Sequence, residues 1–459
     1  MVTLFNIRFP ARTILLVVSE SLLAFLTLWA ATLIWFGADA DLALAYDHSF
    51  FRMGVAALVC MLCLYYCDLY ESSVLSNLRE ITVRVVQGWG TLCVVLALVY
   101  FAYPGLQIGR GPFALWVLLG GVLLLSWRKL FLTLSRLTGL RERVVVVGEG
   151  RLAEALVGEL ERRVELGLQV VGVLSEGEAE GSWASGRRLG EISDLSRVIR
   201  QEGVERVVVA LEEQRGRLPV EELLRWKARG VQVQEGAELY EAVTGKVPVL
   251  SLRPSSLLFS GGFRARRSML LAKRALSLVA SVFGLLLGGP LMLIAAAVIR
   301  LSSPGPVIFR QERIGRDGKP FTLYKFRTMR ADADPDQPAQ ADDERITPVG
   351  RWLRRTRFDE LPQLFNILRG DMDIIGPRPF TPKMEEECVS RIPLYNQRWN
   401  VRPGITGWAQ VHQGYCATLE DNIEKLGHDL FYIKHMSFGL DLLILFQTTK
   451  ILLLGRGAR

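Results

Sequence analysis

Four apolar stretches, near residues 13–37, 51–69, 85–103 and 112–127, limit what this chain can fold into more than any other feature. A helix that crosses a bilayer needs about 20 mostly apolar residues, and each stretch meets or nearly meets that length. Helices of a soluble four-helix core would carry polar stripes, whereas these are apolar nearly all round. Basic residues then give orientation. Arg8 and Arg12 precede the first stretch, and the loop after it holds Asp39, Asp41 and Asp47 with no Lys or Arg before Arg52. The next loop carries Arg79 and Arg84, the third only Arg110, and Arg128, Lys129, Arg136, Arg141 and Arg143 follow the fourth stretch. Positive charge alternates from side to side, which places both ends of a four-helix unit, residues 1–137, in the cytoplasm. The first apolar run is too long for a cleavable signal, and no small-residue cleavage site follows it.

Composition narrows the function classes. Half of the 459 residues are hydrophobic and 22% are charged, which excludes disorder. The net charge of +8 suits an anionic partner. It follows the membrane flanks rather than one groove-sized face, so nucleic acid is not expected. Cys60 and Cys63 have the spacing of a redox or metal pair, but no Cys or His cluster accompanies them, and they read as small apolar side chains of a membrane helix.

Residues 138–262 read as an α/β, Rossmann-like domain. Val144–Val147 is followed by Gly148-Glu149-Gly150-Arg151-Leu152-Ala153 and a helical pattern, the strand, turn and helix context of a dinucleotide fingerprint. Further strands are expected at Leu168–Leu174, Val204–Leu211 and Val231–Gln234, with a helix near Val220–Arg229. The acid expected after the second strand is Glu176, later than the usual spacing of about 20 residues, so scaffolding or sensing is favoured over NAD binding.

A fifth apolar run, 275–299, is uncharged and long enough to span. Gly288-Gly289-Pro290 sits in its middle, where proline removes a backbone hydrogen bond and kinks the helix. Both flanks are basic, with Arg264, Arg266, Arg267, Lys273 and Arg274 before it and Arg300, Arg310, Arg313, Arg316 and Lys319 after it. A re-entrant helix that enters and leaves through one leaflet satisfies both facts, and a kinked full span is the rival. Beyond it, Ala331–Arg345 reads as a loop, and Leu440–Leu454 as an interfacial helix or as core. His412, His428 and His435 show no ligand spacing.

The chemistry gathers around Arg351–Asn366. Pro362 is comfortable only in a helix's first turn, so Asp359 and Glu360 should lie at or near a helix N-terminus, where the dipole keeps a carboxylate ionised. Arg354, Arg355 and Arg357 supply positive charge for phosphate. An ionised Asp beside a second acid can act as a nucleophile, can hold Mg²⁺ with a diphosphate, or can simply be a salt-bridged cap. Gly376-Pro377-Arg378-Pro379 holds one guanidinium between two prolines and suggests fixed contact with an oxyanion. Val401–Gln410 is a glycine-punctuated loop whose amides and aromatic face are available for a nucleotide.

Together, Gly305-Pro306-Val307-Ile308-Phe309-Arg310-Gln311-Glu312-Arg313-Ile314-Gly315, Tyr324-Lys325-Phe326-Arg327-Thr328-Met329, Asp359-Glu360-Leu361-Pro362-Gln363, Gly376-Pro377-Arg378-Pro379 and Arg402-Pro403-Gly404-Ile405-Thr406-Gly407-Trp408 resemble the bacterial sugar transferase family. These are monotopic polyprenyl-phosphate phosphoglycosyl transferases, and the N-terminal half resembles the large members that initiate exopolysaccharide or O-antigen synthesis. The resemblance implies a membrane α-helical N-terminal bundle, a Rossmann-like middle domain and, over 263–459, a mixed, mainly α monotopic catalytic domain with a re-entrant membrane helix. It implies that Asp359 attacks the sugar-bearing phosphate of a UDP-sugar and releases UMP. Undecaprenyl phosphate then accepts the phosphosugar, with glucose the first choice of sugar and galactose the second. Mg²⁺ would sit beside the acid pair at Asp359, and Glu360 would support the nucleophile or the metal. Arg354 and Arg378 match arginines near the phosphates, Lys325 and Arg327 belong to a further basic motif, and Arg402 belongs to the last motif. The family's membrane helix breaks at Ser-Pro, whereas this chain has Gly289-Pro290 and lacks the serine hydroxyl. The expected setting is the cytoplasmic face of the bacterial inner membrane among its lipids, with oligomeric state open and a homodimer compatible.

Two other classes compete. A ligand-gated channel or transporter also joins spans to a Rossmann-like domain, but no charged pathway or selectivity filter is visible in the four stretches. An NAD-dependent sugar-nucleotide epimerase or dehydratase would leave the last 200 or so residues unexplained, and it lacks a Tyr-x-x-x-Lys pair in suitable context.

Overall fold

The computed structural model describes the chain except residues 1, 5–6, 10, 46–47, 71–77, 138–140, 164–165, 177–186, 212–216, 252–262, 264–266, 331, 334–342, 415–417 and 455–459. Asp47, Arg264, Arg266, Cys416 and most of the expected 331–345 loop therefore lie outside the described residues, as do the side chains of Arg8, Arg12 and Arg136. The chain divides into two compact units, one made mainly of Arg8–Gln234 with Met1–Val2, the other mainly of Glu235–Arg459 with Thr3–Ile7.

The first unit begins with α1 (Ala11–Phe36), α2 (Ser49–Tyr66), α3 (Leu78–Ala102) and α4 (Arg110–Leu137). Each includes a segment long and apolar enough to cross a membrane. Leu28, Met53, Cys60, Leu64, Leu92, Leu96 and Trp116 fill the space between them, while Val18, Leu22, Leu98, Leu118 and Val122 stay exposed. An exposed apolar perimeter around a packed interior is what a hydrocarbon solvent permits. The five described cysteines are free, and Cys60 and Cys63 are simply core. A buried ion pair locks the first helix to the fourth. Arg128 donates to both carboxylate oxygens of Glu20 at 2.6 and 2.9 Å and to the Leu69 carbonyl at 2.9 Å, and Tyr70 also donates to Glu20. A charge buried this deeply requires such complete pairing.

The same unit contains β1 (Glu142–Val147), α5 (Arg151–Arg162), β2 (Leu168–Leu174), β3 (Arg188–Gly190), α6 (Leu195–Glu202), β4 (Arg206–Val209), α7 (Val220–Ala228) and β5 (Gln232–Glu235). The sheet order is β3-β2-β1-β4-β5, with β1 parallel to β2 and β4, and β2 parallel to β3. Val144–Val147 is fully buried, as a central parallel strand covered on both faces must be. A Cβ at Gly148 would come within 2.5 Å of the Ala210 backbone, so this glycine permits close approach of the next strand.

The second unit opens with α8 (Gly236–Thr244) and continues with α9 (Arg267–Ser302), β6 (Ile308–Ile314), β7 (Pro320–Phe326), α10 (Pro348–Thr356), α11 (Gln363–Arg369), β8 (Asp373–Ile375), α12 (Pro382–Arg391), β9 (Gly404–Thr406), α13 (Trp408–His412), α14 (Leu419–His435) and α15 (Phe438–Leu453). Residues 235–251 fall within the middle domain by sequence, yet they pack here. The Gly245 carbonyl accepts from Trp408 Nε1 at 2.8 Å and lies 3.1 Å from His428 Nδ1, and Val247 donates to Gly427. The helix α9 is the fifth element long and apolar enough to span, and it runs without interruption through Gly288-Gly289-Pro290. The last helix divides its faces: Leu440, Asp441 and Ile444 are buried, whereas Leu442, Leu452 and Leu453 are exposed.

Candidate active site

Thr347 caps α10 by accepting from the Gly350 amide at 2.9 Å, and Pro348 takes the first helical position, where its missing N–H costs nothing. The helix stops at Arg357, whose φ of 57° turns the chain sharply. One 3-10 turn, Phe358–Glu360, follows, and α11 begins at Gln363 with Pro362 as its N-cap. The acid pair thus sits just before a helix N-terminus, where Pro362 calls for it. Both carboxylates are 7% exposed.

The two acids live in different surroundings. Glu360 Oε1 receives Arg378 at 3.0 Å, Lys325 at 3.3 Å and Arg357 at 3.6 Å. Burial pushes this carboxyl up, but Lys325, Arg378 and Arg357 together hold it far below the usual carboxylate range. Asp359 has no comparable set. Its Oδ1 is buried with no hydrogen-bond partner among the described residues. Burial raises its pKa, opposed first by Lys325 and then by Arg357 and Arg354. Lys325 in turn is lowered by burial and sustained by Glu360, while Glu360 raises Arg378. Arg354 Nε donates to Thr328 Oγ1 at 2.9 Å, and no carboxylate bridges its guanidinium among the described residues. The result is one carboxylate saturated by cations and, next to it, one whose oxygen is free. That second oxygen is available as a nucleophile or as a ligand to a hard cation.

Comparison with known proteins fits this geometry. A family model described as bacterial sugar transferase matches residues 268–455, and one described as a CoA-binding domain matches 66–218. A UDP-glucose:undecaprenyl-phosphate glucose-1-phosphate transferase of Xanthomonas campestris pv. campestris is 35% identical over 366 residues, covering 75% of this chain and 74% of the relative. The chain belongs to the bacterial sugar transferase family. Its similarity extends to a UDP-N-acetylgalactosamine-undecaprenyl-phosphate N-acetylgalactosaminephosphotransferase of Aeromonas hydrophila, 41% identical over 52% of this chain. It extends also to an undecaprenyl-phosphate glucose phosphotransferase of Komagataeibacter xylinus, 33% identical over 70% of this chain. The chain spans only 56% and 60% of the length of these last two relatives.

The other motifs divide into those that reach the acid pair and those that support it. Arg378 does contact an oxyanion, but that oxyanion is the protein's own Glu360. Its loop is held from behind, because Arg398, bridged to Glu385 and Asp429, donates to the Arg378 carbonyl at 2.7 Å. The glycine-rich 401–410 segment is not open to a nucleotide as its sequence suggests. Gly404 donates to Pro377 and Gly376 donates to Thr406, so the two glycine motifs interlock. A Cβ at Gly404 would lie 2.1 Å from the Gly376 nitrogen. Trp408 is 5% exposed and stacks on Phe431 at 5.6 Å, which removes its aromatic face from any ligand. His412 and His428 stack beside it as packing groups.

Two of the arginines expected at the substrate make backbone contacts instead. Arg327 donates to the Ser303 and Pro304 carbonyls at 2.8 Å, tying the strand to the end of α9. Arg402 donates to the Gly370 carbonyl at 3.0 Å and lies 3.9 Å from Asp373, beyond the far end of α11 from the acids. Conversely, Arg313 is a neighbour that the motif reading passed over. On the β6–β7 hairpin Lys325 pairs with Phe309, and alternation puts Gln311 and Arg313 on that same face. The i, i+2, i+4 pattern in Phe309-Arg310-Gln311-Glu312-Arg313 was the signal available for it.

Proposed function

We propose that this chain transfers a hexose-1-phosphate from a UDP-sugar to undecaprenyl phosphate through a phosphosugar carried on Asp359. The observation that carries the reading is the buried, unpartnered Asp359 oxygen beside a Glu360 already saturated by Lys325, Arg357 and Arg378. An Asp359 carboxylate oxygen forms a bond to the sugar-bearing phosphorus, the bond from that phosphorus to the uridylate oxygen breaks, and its electron pair leaves with UMP. An oxygen of undecaprenyl phosphate then bonds to the same phosphorus, and the electron pair of the broken bond returns to Asp359. Glu360 keeps Lys325 and Arg378 in place, and Arg354 and Arg357 offset charge on the transferred phosphoryl.

The free Asp359 oxygen also suits Mg²⁺. No cluster of three or more Asp, Glu, His or Cys stands ready for a metal among the described residues, so donor phosphate oxygens would complete the set, as is usual for this ion. When bound, the ion would neutralise diphosphate charge.

The expected setting is the cytoplasmic face of the inner membrane, with α9 re-entrant and the middle sheet Rossmann-like by its strand order. Supporting the re-entrant reading, both halves of α9 pack on one compact unit. Arg274 bonds to the Ile367 carbonyl near its start, Gly284 and Gly288 lie against Leu364 and Leu361, and Ala295 and Ile299 join Phe326 and Leu353 near its end. A full span would carry that end about 30 Å across hydrocarbon. Its other face, including Val279, Phe283, Leu286, Leu293 and Leu301, is exposed and apolar, as lipid contact requires.

Membranes incubated with labelled UDP-sugar and no lipid acceptor should release UMP and yield labelled protein, and Asp359→Asn should abolish both. Turnover that persists in the variant would eliminate the covalent route. A panel of UDP-sugars with undecaprenyl phosphate, read by mass spectrometry, tests glucose as the sugar and galactose as the runner-up, with initiation of exopolysaccharide or O-antigen synthesis as the role.

A further inference from the structure

Around the acid pair, cations outnumber carboxylates. Lys325, Arg357 and Arg378 share Glu360, and Arg354 faces Asp359 from its bond to Thr328. Arg313 is different. It lies close enough to Arg378 and Glu360 to feel both charges, yet no carboxylate bridges it among the described residues. Its contacts are neutral: NH1 donates to the Pro379 carbonyl at 3.2 Å and NH2 to Gln311 Oε1 at 2.6 Å. Its Nε is buried with no hydrogen-bond partner among the described residues. Burial and the neighbouring Arg378 push this guanidinium down to about 10, and Glu360 and Glu385, neither of them bridged to it among the described residues, offset that only in part.

A guanidinium without a direct carboxylate bridge, on the hairpin face that also presents Lys325, is a place for an anion that arrives from outside. Gln311 and the Pro379 carbonyl fix its plane, so its orientation is set before any ligand binds.

We propose that Arg313 is a further substrate-binding residue, which contacts the diphosphate of the nucleotide donor. This rests on the reading of the site as one for a UDP-sugar. The donor brings two linked phosphates, and its charge offsets the excess that Arg313 adds beside Arg378. Gln311 acts through Arg313 as a positioning residue.

The test measures UDP binding to the whole 459-residue chain in detergent with Mg²⁺, together with thermal unfolding with and without UDP. Arg313→Gln should weaken UDP binding by about tenfold to a hundredfold, the range for losing a charged hydrogen-bond partner, and should leave the melting temperature without UDP unchanged. Arg313→Lys should recover part of the affinity, and Gln311→Ala should show a smaller loss. Unchanged UDP affinity in Arg313→Gln overturns the proposal, as does a lowered melting temperature with affinity intact. If Arg313→Gln fails to fold, Arg313→Lys decides, and affinity equal to that of the parent chain overturns the proposal. A parent chain that binds no UDP at all would instead bring down the UDP-sugar reading.

Discussion

Both units of this protein bring arginine and acid together at a turn that leads into a helix, and the two arrangements differ in almost every physical respect. In the first unit Arg217 lies 3.4 Å from Glu149 and 3.5 Å from Glu176, and all three side chains are at least 40% exposed. In the second, Glu360 is 8% exposed in its side chain and draws in three cations. Water screens the first group and lets it rearrange at little cost. The second has given up its hydration and depends on its partners. A sequence motif marks both places, but only one is arranged so that its charges act on each other strongly.

The largest expected difference follows from removing an acid. Glu360→Gln should destabilise the second unit by about 3–5 kcal/mol, because Lys325 and Arg378 are left buried without their counter-ion. Arg217→Ala should change stability by less than about 0.5 kcal/mol. Denaturant unfolding of the detergent-solubilised chain checks both, and equal effects would erase the distinction between the two sites.

An effect on pH dependence comes next. Burial raises Asp359, and the carboxylate form is the nucleophile, so UMP release in the absence of lipid should fall on the acid side at a pH above the ordinary aspartate range. Lys325 is the foremost group opposing that rise, so Lys325→Met should move the acid limb to still higher pH. A limb that stays fixed or moves down would separate Lys325 from the nucleophile. The smallest effect belongs to Arg402→Gln. Loss of its bond to the Gly370 carbonyl should cost roughly 1 kcal/mol of stability and leave the KM for the UDP-sugar unchanged.

The sequence made the acid pair legible because Pro362 restricts where a helix can start, and proline's constraint is local. The membrane helices were legible for a similar reason, since hydropathy over some twenty residues needs no tertiary information. Arg327 and Arg402 are expected at the substrate and donate to carbonyls in the structure, contacts no motif reveals, because a guanidinium looks the same in sequence whether it meets a phosphate or a carbonyl. Trp408 was read as an open aromatic face because nothing local reveals that Phe431 and Gly245 cover it. Arg313 does not stand out in the motif because its significance depends on strand pairing, which sets it opposite Phe321 on the hairpin face that carries Lys325. Contacts between distant segments decide each of these cases, and a linear pattern does not encode them singly.

The Gly245 carbonyl has a practical consequence for where the polypeptide can be cut. A catalytic fragment begun at residue 263, as the motif boundaries invite, would discard the acceptor that Trp408 and His428 share and leave an indole N–H unmet in a dry interior. Begun at Glu235, the fragment would keep that acceptor, along with the Lys434–Glu241 bridge beside it.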